Sequence, residues 1–190
     1  MLKFDNVTKK YGDITVFENF NLEVSDGDRL VIMGKSGCGK TTLLNLASHI
    51  CSPDGGVITG TEKFSYMFQE PRLLPWYTSR KNIYAVLEKD KYEVAEKYIS
   101  LTDIEDFADK YTDSLSGGMA QRVSFARFLC YAEATESKLL LLDEPFSALD
   151  AQLADRMIEI LADFAKDKTL LLVTHNSNDA QKLGAKIINL

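Results

Sequence analysis

The sequence predicts an α/β fold with a mainly parallel core sheet, an N-terminal antiparallel β subdomain and an inserted small helical subdomain. Short continuous apolar runs, typical of strands covered on both faces, occur at residues 30–33, 139–142 and 170–173. Stretches with helical apolar spacing separate these runs, and strands separated by helices form a mainly parallel sheet. An alternating N-terminal segment and a charged middle segment account for the other two parts.

The N-terminal antiparallel part is predicted from alternation of apolar and polar residues. Residues 2–7 have the pattern of a strand, Gly12 and Asp13 that of a turn, and residues 20–24 alternate again. Two alternating segments joined by a short turn form a hairpin, so we expect antiparallel pairing here.

The first strand of the core leads through a glycine-rich segment into a helix. Residues 30–33 are continuously apolar, residues 34–41 contain three glycines, and Leu43, Leu44 and Ala47 then fall at helical spacing. The predicted order is therefore strand, loop and helix.

The middle of the chain differs from the rest. After a strand candidate at residues 64–68, residues 73–114 are rich in Lys, Glu and Asp and have helical apolar spacing, for example at Ile83, Val86 and Leu87. A length of 190 residues suits one domain. We therefore predict a single domain over residues 1–190, with about 73–114 as an inserted helical subdomain.

Composition narrows the classes of function. A net charge of −6 argues against a broad nucleic-acid surface, so no nucleic-acid partner is predicted. The apolar runs are far shorter than the roughly 20 residues that cross a bilayer, so at a membrane another chain would span it. Residues 1–5 lack the pattern of a signal or transit peptide, and the three cysteines lack metal-ligand spacing. These features predict a cytoplasmic protein with reduced thiols.

Residues 34–41 match the P-loop pattern G-x-x-x-x-G-K-[ST] in full. The glycines let successive backbone N–H groups point at phosphate oxygens, Lys40 adds a positive charge and Thr41 a hydroxyl for Mg²⁺. The alternative is a glycine-rich turn without a ligand, which the strand–loop–helix context disfavours. The predicted ATP contacts of this segment are Gly34, Lys35, Ser36, Gly37, Cys38, Gly39, Lys40, Thr41 and Thr42.

Two acidic residues follow the apolar run at residues 139–142. The carboxyl end of a parallel strand is where an α/β sheet presents ligands. Asp143 is predicted to hold Mg²⁺ and Glu144 to polarise the attacking water. An acidic turn is the alternative, and the P-loop in the same chain favours the catalytic interpretation.

Ser116, Gly117 and Gly118 directly precede another helical stretch. A hydroxyl, backbone amides and the helix dipole converge there, which predicts a second anion site, although a capped helix start without a ligand is the alternative. Together with the other motifs, residues 115–122 resemble the signature motif of ABC transporter ATPases. The resemblance covers essentially the whole chain and implies the P-loop NTPase fold of that family.

The resemblance also implies roles for residues outside these motifs. Tyr11 matches the aromatic residue that stacks on adenine, with a half-buried strand tyrosine as the alternative. Gln69 matches the glutamine that contacts Mg²⁺ and links the nucleotide to the helical subdomain. Asp150 belongs to the segment that resembles the D-loop, and His175 matches the switch histidine that reaches the γ-phosphate. Lys40, Gln69, Glu144 and His175 are thus the predicted catalytic set, with Thr41, Gln69 and Asp143 at the metal.

Residues 69–76 resemble the importer ATPases that serve nitrate, sulfonate and taurine-type substrates. Membership would imply integral membrane permease subunits as partners, a solute-binding protein acting indirectly, and a peripheral location on the inner face of the cell membrane. Each chain has one P-loop and a second predicted phosphate-binding motif, so either it has two separate sites or two copies share composite sites. The family resemblance implies the second arrangement, a homodimer that sandwiches ATP and Mg²⁺ between its subunits. The alternatives are an exporter-type ATPase and a soluble ABC-type switch or adaptor without a transport role.

Overall fold

The computed structural model describes residues 1–60 and 63–190. The chain forms two sheets joined by helices, and the predicted α/β class with antiparallel N-terminal strands is confirmed. The strands are β1 (Leu2–Tyr11), β2 (Ile14–Val24), β3 (Arg29–Met33), β4 (Gly55–Thr59), β5 (Phe64–Met67), β6 (Leu139–Asp143), β7 (Thr169–Val173) and β8 (Lys186–Asn189). The helices are α1 (Lys40–Ala47), α2 (Ser79–Tyr84), α3 (Tyr92–Leu101), α4 (Gly117–Ala134), α5 (Ala151–Phe164) and α6 (Ser177–Leu183), with 3₁₀ turns at Lys89–Lys91, Glu105–Phe107 and Thr112–Ser114.

The core sheet is parallel in every pairing, in the order β5-β6-β7-β3-β8. Residues 139–142 and 170–173 are at most 5% exposed, as their continuous apolar runs predict. The carboxyl ends of β3, β6 and β7 therefore meet at one edge of the sheet, where the predicted P-loop and acidic residues also lie.

The antiparallel sheet has the order β2-β1-β4. The predicted hairpin pairs Leu2 with Val24 and Tyr11 with Ile14, so both strands are longer than the alternation alone indicated. Strand β4 was not predicted, because its five residues begin with two glycines and lack a clear apolar alternation. Strand β8 and helix α6 were not predicted either, since both are short.

The segment between β5 and β6 is helical, as predicted from its charge and spacing. Helix α4 packs against α2, α3 and β5, so it connects the helical segment to the sheet. One hydrophobic cluster includes Ile83 and Ile99 of this segment together with Val31 and Leu140 of the core strands. A separate subdomain at residues 73–114 therefore stays a prediction. Among the described residues, no helix is both long and apolar enough to cross a membrane.

Candidate functional site

The loop between β3 and α1 has a backbone that requires glycine. Gly34, Gly37 and Gly39 have φ angles of 155°, 80° and 105°. A Cβ atom on Gly39 would lie 2.6 Å from Cγ1 of Val16, and one on Gly34 would lie 2.6 Å from Sγ of Cys38. Both the left-handed backbone and the close neighbours therefore exclude larger side chains at these two positions.

Lys40 is held in place by the loop that precedes it. Its side-chain ammonium donates hydrogen bonds to the carbonyl oxygens of Gly34 at 2.9 Å and Lys35 at 3.0 Å, and the residue is 8% exposed. Lys40 is also the first residue of α1, whose N-cap Gly39 provides no side-chain acceptor. Lys40, Thr41 and Thr42 of the first helical turn line one cavity, which supports the predicted anion site at this helix start.

Asp143 lies beside Thr41 at the carboxyl end of β6. The Thr41 hydroxyl donates a hydrogen bond of 2.6 Å to Oδ2 of Asp143, which is 2% exposed. Burial raises the pKa of the Asp143 carboxyl above its ordinary value, and the Thr41 hydrogen bond and the Lys40 charge oppose this rise. Burial of this carboxylate therefore has a cost that a bound cation would offset.

The donor set is suitable for Mg²⁺. The residues that the structure describes contain no cluster of three or more His, Cys, Asp or Glu that could hold a metal ion by itself. Mg²⁺ is commonly held by one or two carboxylates together with substrate phosphates and water. One buried carboxylate and one hydroxyl beside a predicted phosphate site agree with that mode of binding.

Glu144 pairs directly with His175. The distance between Oε1 of Glu144 and Nε2 of His175 is 2.7 Å, and the Glu144 side chain is 11% exposed. Burial raises the pKa of Glu144, while His175 acts to lower it and Asp143 raises it further. Glu144 also has a φ of 49°, a left-handed backbone that is uncommon for glutamate and occurs where surrounding contacts impose it.

These residues surround a cavity of about 220 Å³, which we call the P-loop cavity. Val16 of β2 also contributes to its wall; sequence reasoning missed it because an aliphatic strand residue carries no chemical signal. The lining residues are Val16, Ser36, Gly37, Gly39, Lys40, Thr41, Thr42, Gln69, Asp143, Glu144 and His175.

Tyr11 lies at the end of β1 beside the start of α1. It is 47% exposed, and its hydroxyl is 3.9 Å from Sγ of Cys51. Burial and the Cys51 contact raise the pKa of Tyr11, and the Thr42 side chain opposes that rise. The ring does not belong to the lining of the P-loop cavity, so its contact with adenine stays a prediction.

A second group of predicted site residues lies elsewhere on the chain. The Ser116 hydroxyl caps α4 by accepting a hydrogen bond of 3.2 Å from the Met119 N–H. Asp150 caps α5 in the same way, at 3.0 Å from the Leu153 N–H. None of Ser116, Gly117, Gly118 and Asp150 lines the P-loop cavity. Within one chain, the two predicted phosphate-binding motifs therefore do not share this cavity.

Comparison with known proteins gives consistent matches. Residues 17–147 match a family model described as ABC transporter. A bicarbonate transport ATP-binding protein of Synechocystis is 37% identical over 98% of this chain and 73% of its own length. An aliphatic sulfonates import ATP-binding protein of Bacillus thuringiensis is 37% identical over 95% of this chain and 76% of its own. A solved dimeric ATP-binding cassette with ADP and Pi, in a post-hydrolysis state, matches with a TM-score of 0.89 and 28% identity over 100% of this chain and 94% of its own.

Proposed function

The chain belongs to the ABC transporter family as an ATP-binding ATPase subunit, and from this premise we propose that it drives an importer of small anions such as nitrate, sulfonate or taurine. The relatives named for bicarbonate and sulfonate transport support the choice of small anions. In this proposal the protein works at the inner face of the cell membrane, bound to permease subunits, and a solute-binding protein delivers the cargo to those subunits.

One arrangement carries the catalytic proposal, namely the Glu144–His175 pair beside Asp143, Thr41 and Lys40 in a single cavity. Lys40 and the N-terminal amides of α1 bind the β- and γ-phosphates of ATP. Glu144 accepts a proton from the attacking water, and His175 holds the Glu144 carboxylate towards the γ-phosphate.

Thr41 and Asp143, with Gln69, are the groups that would hold Mg²⁺ in this cavity. When bound, the ion supplies positive charge that stabilises the phosphate oxygens. Their oxygen atoms suit this ion, and Gln69 lines the same cavity and precedes the segment that leads into the helical region. Gln69 is thus the residue of the set best placed to sense both the nucleotide and α2.

The experiment that tests the catalytic assignment is Glu144→Gln. The variant retains the shape of the side chain and loses the base, so hydrolysis should fall by at least about a hundredfold while ATP binding persists. Steady-state phosphate release and equilibrium binding of a fluorescent ATP analogue measure the two effects separately.

The matched control for this experiment is Glu159→Gln, on the exposed surface of α5. It removes the same carboxylate charge and should leave turnover unchanged. Turnover near that of the wild type in Glu144→Gln, with binding intact, would contradict the assignment of Glu144.

We propose that two copies of the chain complete each ATP site. The residues at the cap of α4 do not line the P-loop cavity, so in this proposal the cap contacts the nucleotide of another copy. A two-fold arrangement would place Ser116, Gly117 and Gly118 of one copy opposite Lys40 of the other. It would form two equivalent ATP sites, each with one P-loop cavity and one α4 cap. Asp150, in the neighbouring loop, then faces the partner as well. The dimeric cassette that resembles this chain supports the proposal.

We propose that the permease docks on a groove beside β5, which we call the edge groove. It consists of two adjacent cavities of about 290 Å³ and 530 Å³ that share the side chains of Tyr66, Phe68 and Tyr131. The Arg72 guanidinium lies 3.9 Å from the centre of the Phe68 ring, and Arg127 donates to the backbone carbonyls of Pro71 and Arg72.

The chemistry of the edge groove supports the proposal of a permease segment as its occupant. Among the described residues, neither Arg72 nor Arg127 forms an ion pair with a carboxylate. An amphipathic helical segment with apolar residues and one acidic side chain would complement aromatic walls and two arginines. A cytoplasmic segment of the permease with this composition is the proposed occupant.

A further inference from the structure

Gln121 of α4 is a buried polar residue with no part in the chemistry proposed so far. It is 2% exposed, and its side-chain amide donates a hydrogen bond of 2.9 Å to the carbonyl oxygen of Pro145. Pro145 directly follows Glu144 in the chain. A buried carbonyl that loses its donor remains unsatisfied, so this hydrogen bond matters for the position of the loop that carries Glu144.

The backbone of Glu144 needs outside contacts to stay in place. Its φ of 49° is an uncommon conformation for a glutamate, and its N–H donates to the Val173 carbonyl at 2.9 Å. Its own carbonyl accepts a hydrogen bond of 3.1 Å from the Ser147 hydroxyl. These two bonds come from β7 and from the loop itself. The bond from Gln121 adds a tether from a helix, directly after the strained residue.

Other residues on the face of α4 that carries Gln121 also contact the loop after Glu144. Phe125, one turn further along the helix, packs edge-to-face on Phe146 with ring centres 5.6 Å apart. One turn earlier, a Cβ atom on Gly118 would lie only 3.1 Å from the Ala148 carbonyl oxygen. Spacings of three and four residues place these positions on one side of a helix. A shift of α4 therefore displaces the loop after Glu144.

We propose that Gln121 is a positioning residue that couples the location of α4 to the location of the Glu144 carboxylate. Helix α4 begins at the Ser116 cap, which in the proposed dimer faces the nucleotide of the partner copy. Docking of that helix end against a nucleotide then sets the loop after Glu144 through the Gln121 hydrogen bond. This inference rests on the proposed function, because it requires Glu144 to be the base.

The first test is Gln121→Met, which keeps the length of the side chain and removes the donor. Misplacing a catalytic group by about 1 Å can cost about a hundredfold, so kcat should fall about ten- to a hundredfold. ATP affinity should change by less than about twofold, since Lys40 and the other residues proposed to bind the phosphates are unchanged. Gln121→Asn retains the amide but is too short to reach, and it should show the same loss if the methionine variant folds poorly.

The decisive test is a double-mutant cycle with Glu144→Gln, measured by single-turnover hydrolysis. If Gln121 acts through Glu144, Gln121→Met should reduce the rate in the wild-type background and have almost no further effect in the Glu144→Gln background. Val123→Ala on the same helix, at a fully buried position, is the control for a general loss of packing. Val123→Ala should lower the melting temperature, and its effect on the hydrolysis rate should not depend on whether residue 144 is Glu or Gln.

Two results would overturn the positioning role. One is a wild-type kcat in folded Gln121→Met or Gln121→Asn. The other is a rate reduction by Gln121→Met that is as large in the Glu144→Gln background as in the wild-type background. Failure of the proposed function has a different signature, because Glu144→Gln alone would then hydrolyse ATP at the wild-type rate. The two failures can thus be told apart within one set of variants.

Discussion

Burial of the charged side chains in the P-loop cavity costs free energy, and different contacts offset this cost at different residues. Lys40 is compensated by two backbone carbonyls, whereas Asp143 has a single hydroxyl donor and a pKa raised by burial. Burial likewise raises the pKa of Glu144, and His175 is the main group that acts to lower it. Functional sites commonly retain such groups at a cost in stability.

Asp143→Asn should therefore raise the melting temperature of the protein at neutral pH in buffer without metal or nucleotide. The raised pKa means that the folded state disfavours the carboxylate relative to the unfolded state. That penalty is complete above the folded pKa and disappears as the pH falls from the folded pKa to the lower unfolded pKa. The gain from Asp143→Asn should be largest near neutral pH and should shrink in acid, as thermal unfolding at a series of pH values will measure.

Asp13→Asn, at an exposed position in the β1–β2 turn, is the control for this experiment and should change the melting temperature little at any pH. A lower melting temperature of Asp143→Asn at neutral pH would show that the Thr41 hydrogen bond and the Lys40 charge outweigh the burial of the carboxylate.

At the scale of elements, helix α4 contacts both the edge strand β5 and the loop that follows Glu144. Ser65 and Met67 of β5 are buried and Tyr66 is half-buried, and all three residues line one cavity of the edge groove. Arg127 of α4 ties this helix to the segment after Gln69 through the Pro71 and Arg72 carbonyls. The same helix thus contacts both the proposed permease groove and, through Gln121, the loop that carries Glu144.

Tyr131→Ala should weaken binding to the membrane subunit, because Tyr131 is 42% exposed and lines both cavities of the edge groove. Loss of a central aromatic contact commonly costs about 2 kcal/mol, or about thirtyfold in affinity. Co-purification with an affinity-tagged candidate permease, from detergent-solubilised membranes, measures the retained fraction, and basal ATP hydrolysis of the variant should stay at the wild-type level.

Ile14→Ala is the matched control, since Ile14 is 69% exposed and lies in the β1–β2 hairpin away from the groove. Equal retention of Tyr131→Ala and Ile14→Ala would reject the edge groove as the docking site. An absence of any membrane partner for the wild-type chain would instead favour the soluble switch or adaptor.

At the scale of the whole molecule, the Ser116 cap does not line the P-loop cavity of its own chain, and this observation is the basis of the proposed dimer. Lys40, Glu144 and His175 share one cavity, and Ser116 and Asp150 do not reach it. A dimer in which each copy supplies one half to each site predicts a specific pattern of complementation between variants.

Lys40→Ala and Ser116→Arg should each be nearly inactive alone and should regain hydrolysis when mixed. In the mixed dimer, one site combines the intact cavity of one copy with the intact cap of the other. Random pairing produces about half mixed dimers with one good site of two, so recovery should approach about a quarter of the wild-type rate. Phosphate release from equimolar mixtures is the measurement.

Lys40→Ala mixed with Glu144→Gln is the control, because both changes affect the cavity half and no site is repaired. Recovery in this control, or no recovery with Ser116→Arg while ATP still induces dimerisation, would contradict the shared site.

The P-loop and the acidic residues after β6 could be predicted from the spacing of residues that are close in sequence. The order of strand, loop and helix around Gly34–Thr41 depends on neighbours in sequence, and so does the buried run that ends at Asp143. The α/β class and the resemblance to ABC transporter ATPases were confirmed for this reason. The roles assigned to single residues stay predictions, because they concern a bound nucleotide and a second copy of the chain.

Other features depended on which segments meet in space. The strands β4 and β8 are short and have a weak apolar pattern, so only their pairing with β1 and β3 identifies them as strands. Val16 enters the P-loop cavity because the hairpin passes over Gly39. Gln121 reaches Pro145 because α4 lies along the loop after β6. The sequence by itself thus determined the P-loop and the buried strand that ends at Asp143, since adjacent residues build them, whereas tertiary packing decided which distant side chains, such as Val16 and Gln121, lie beside them.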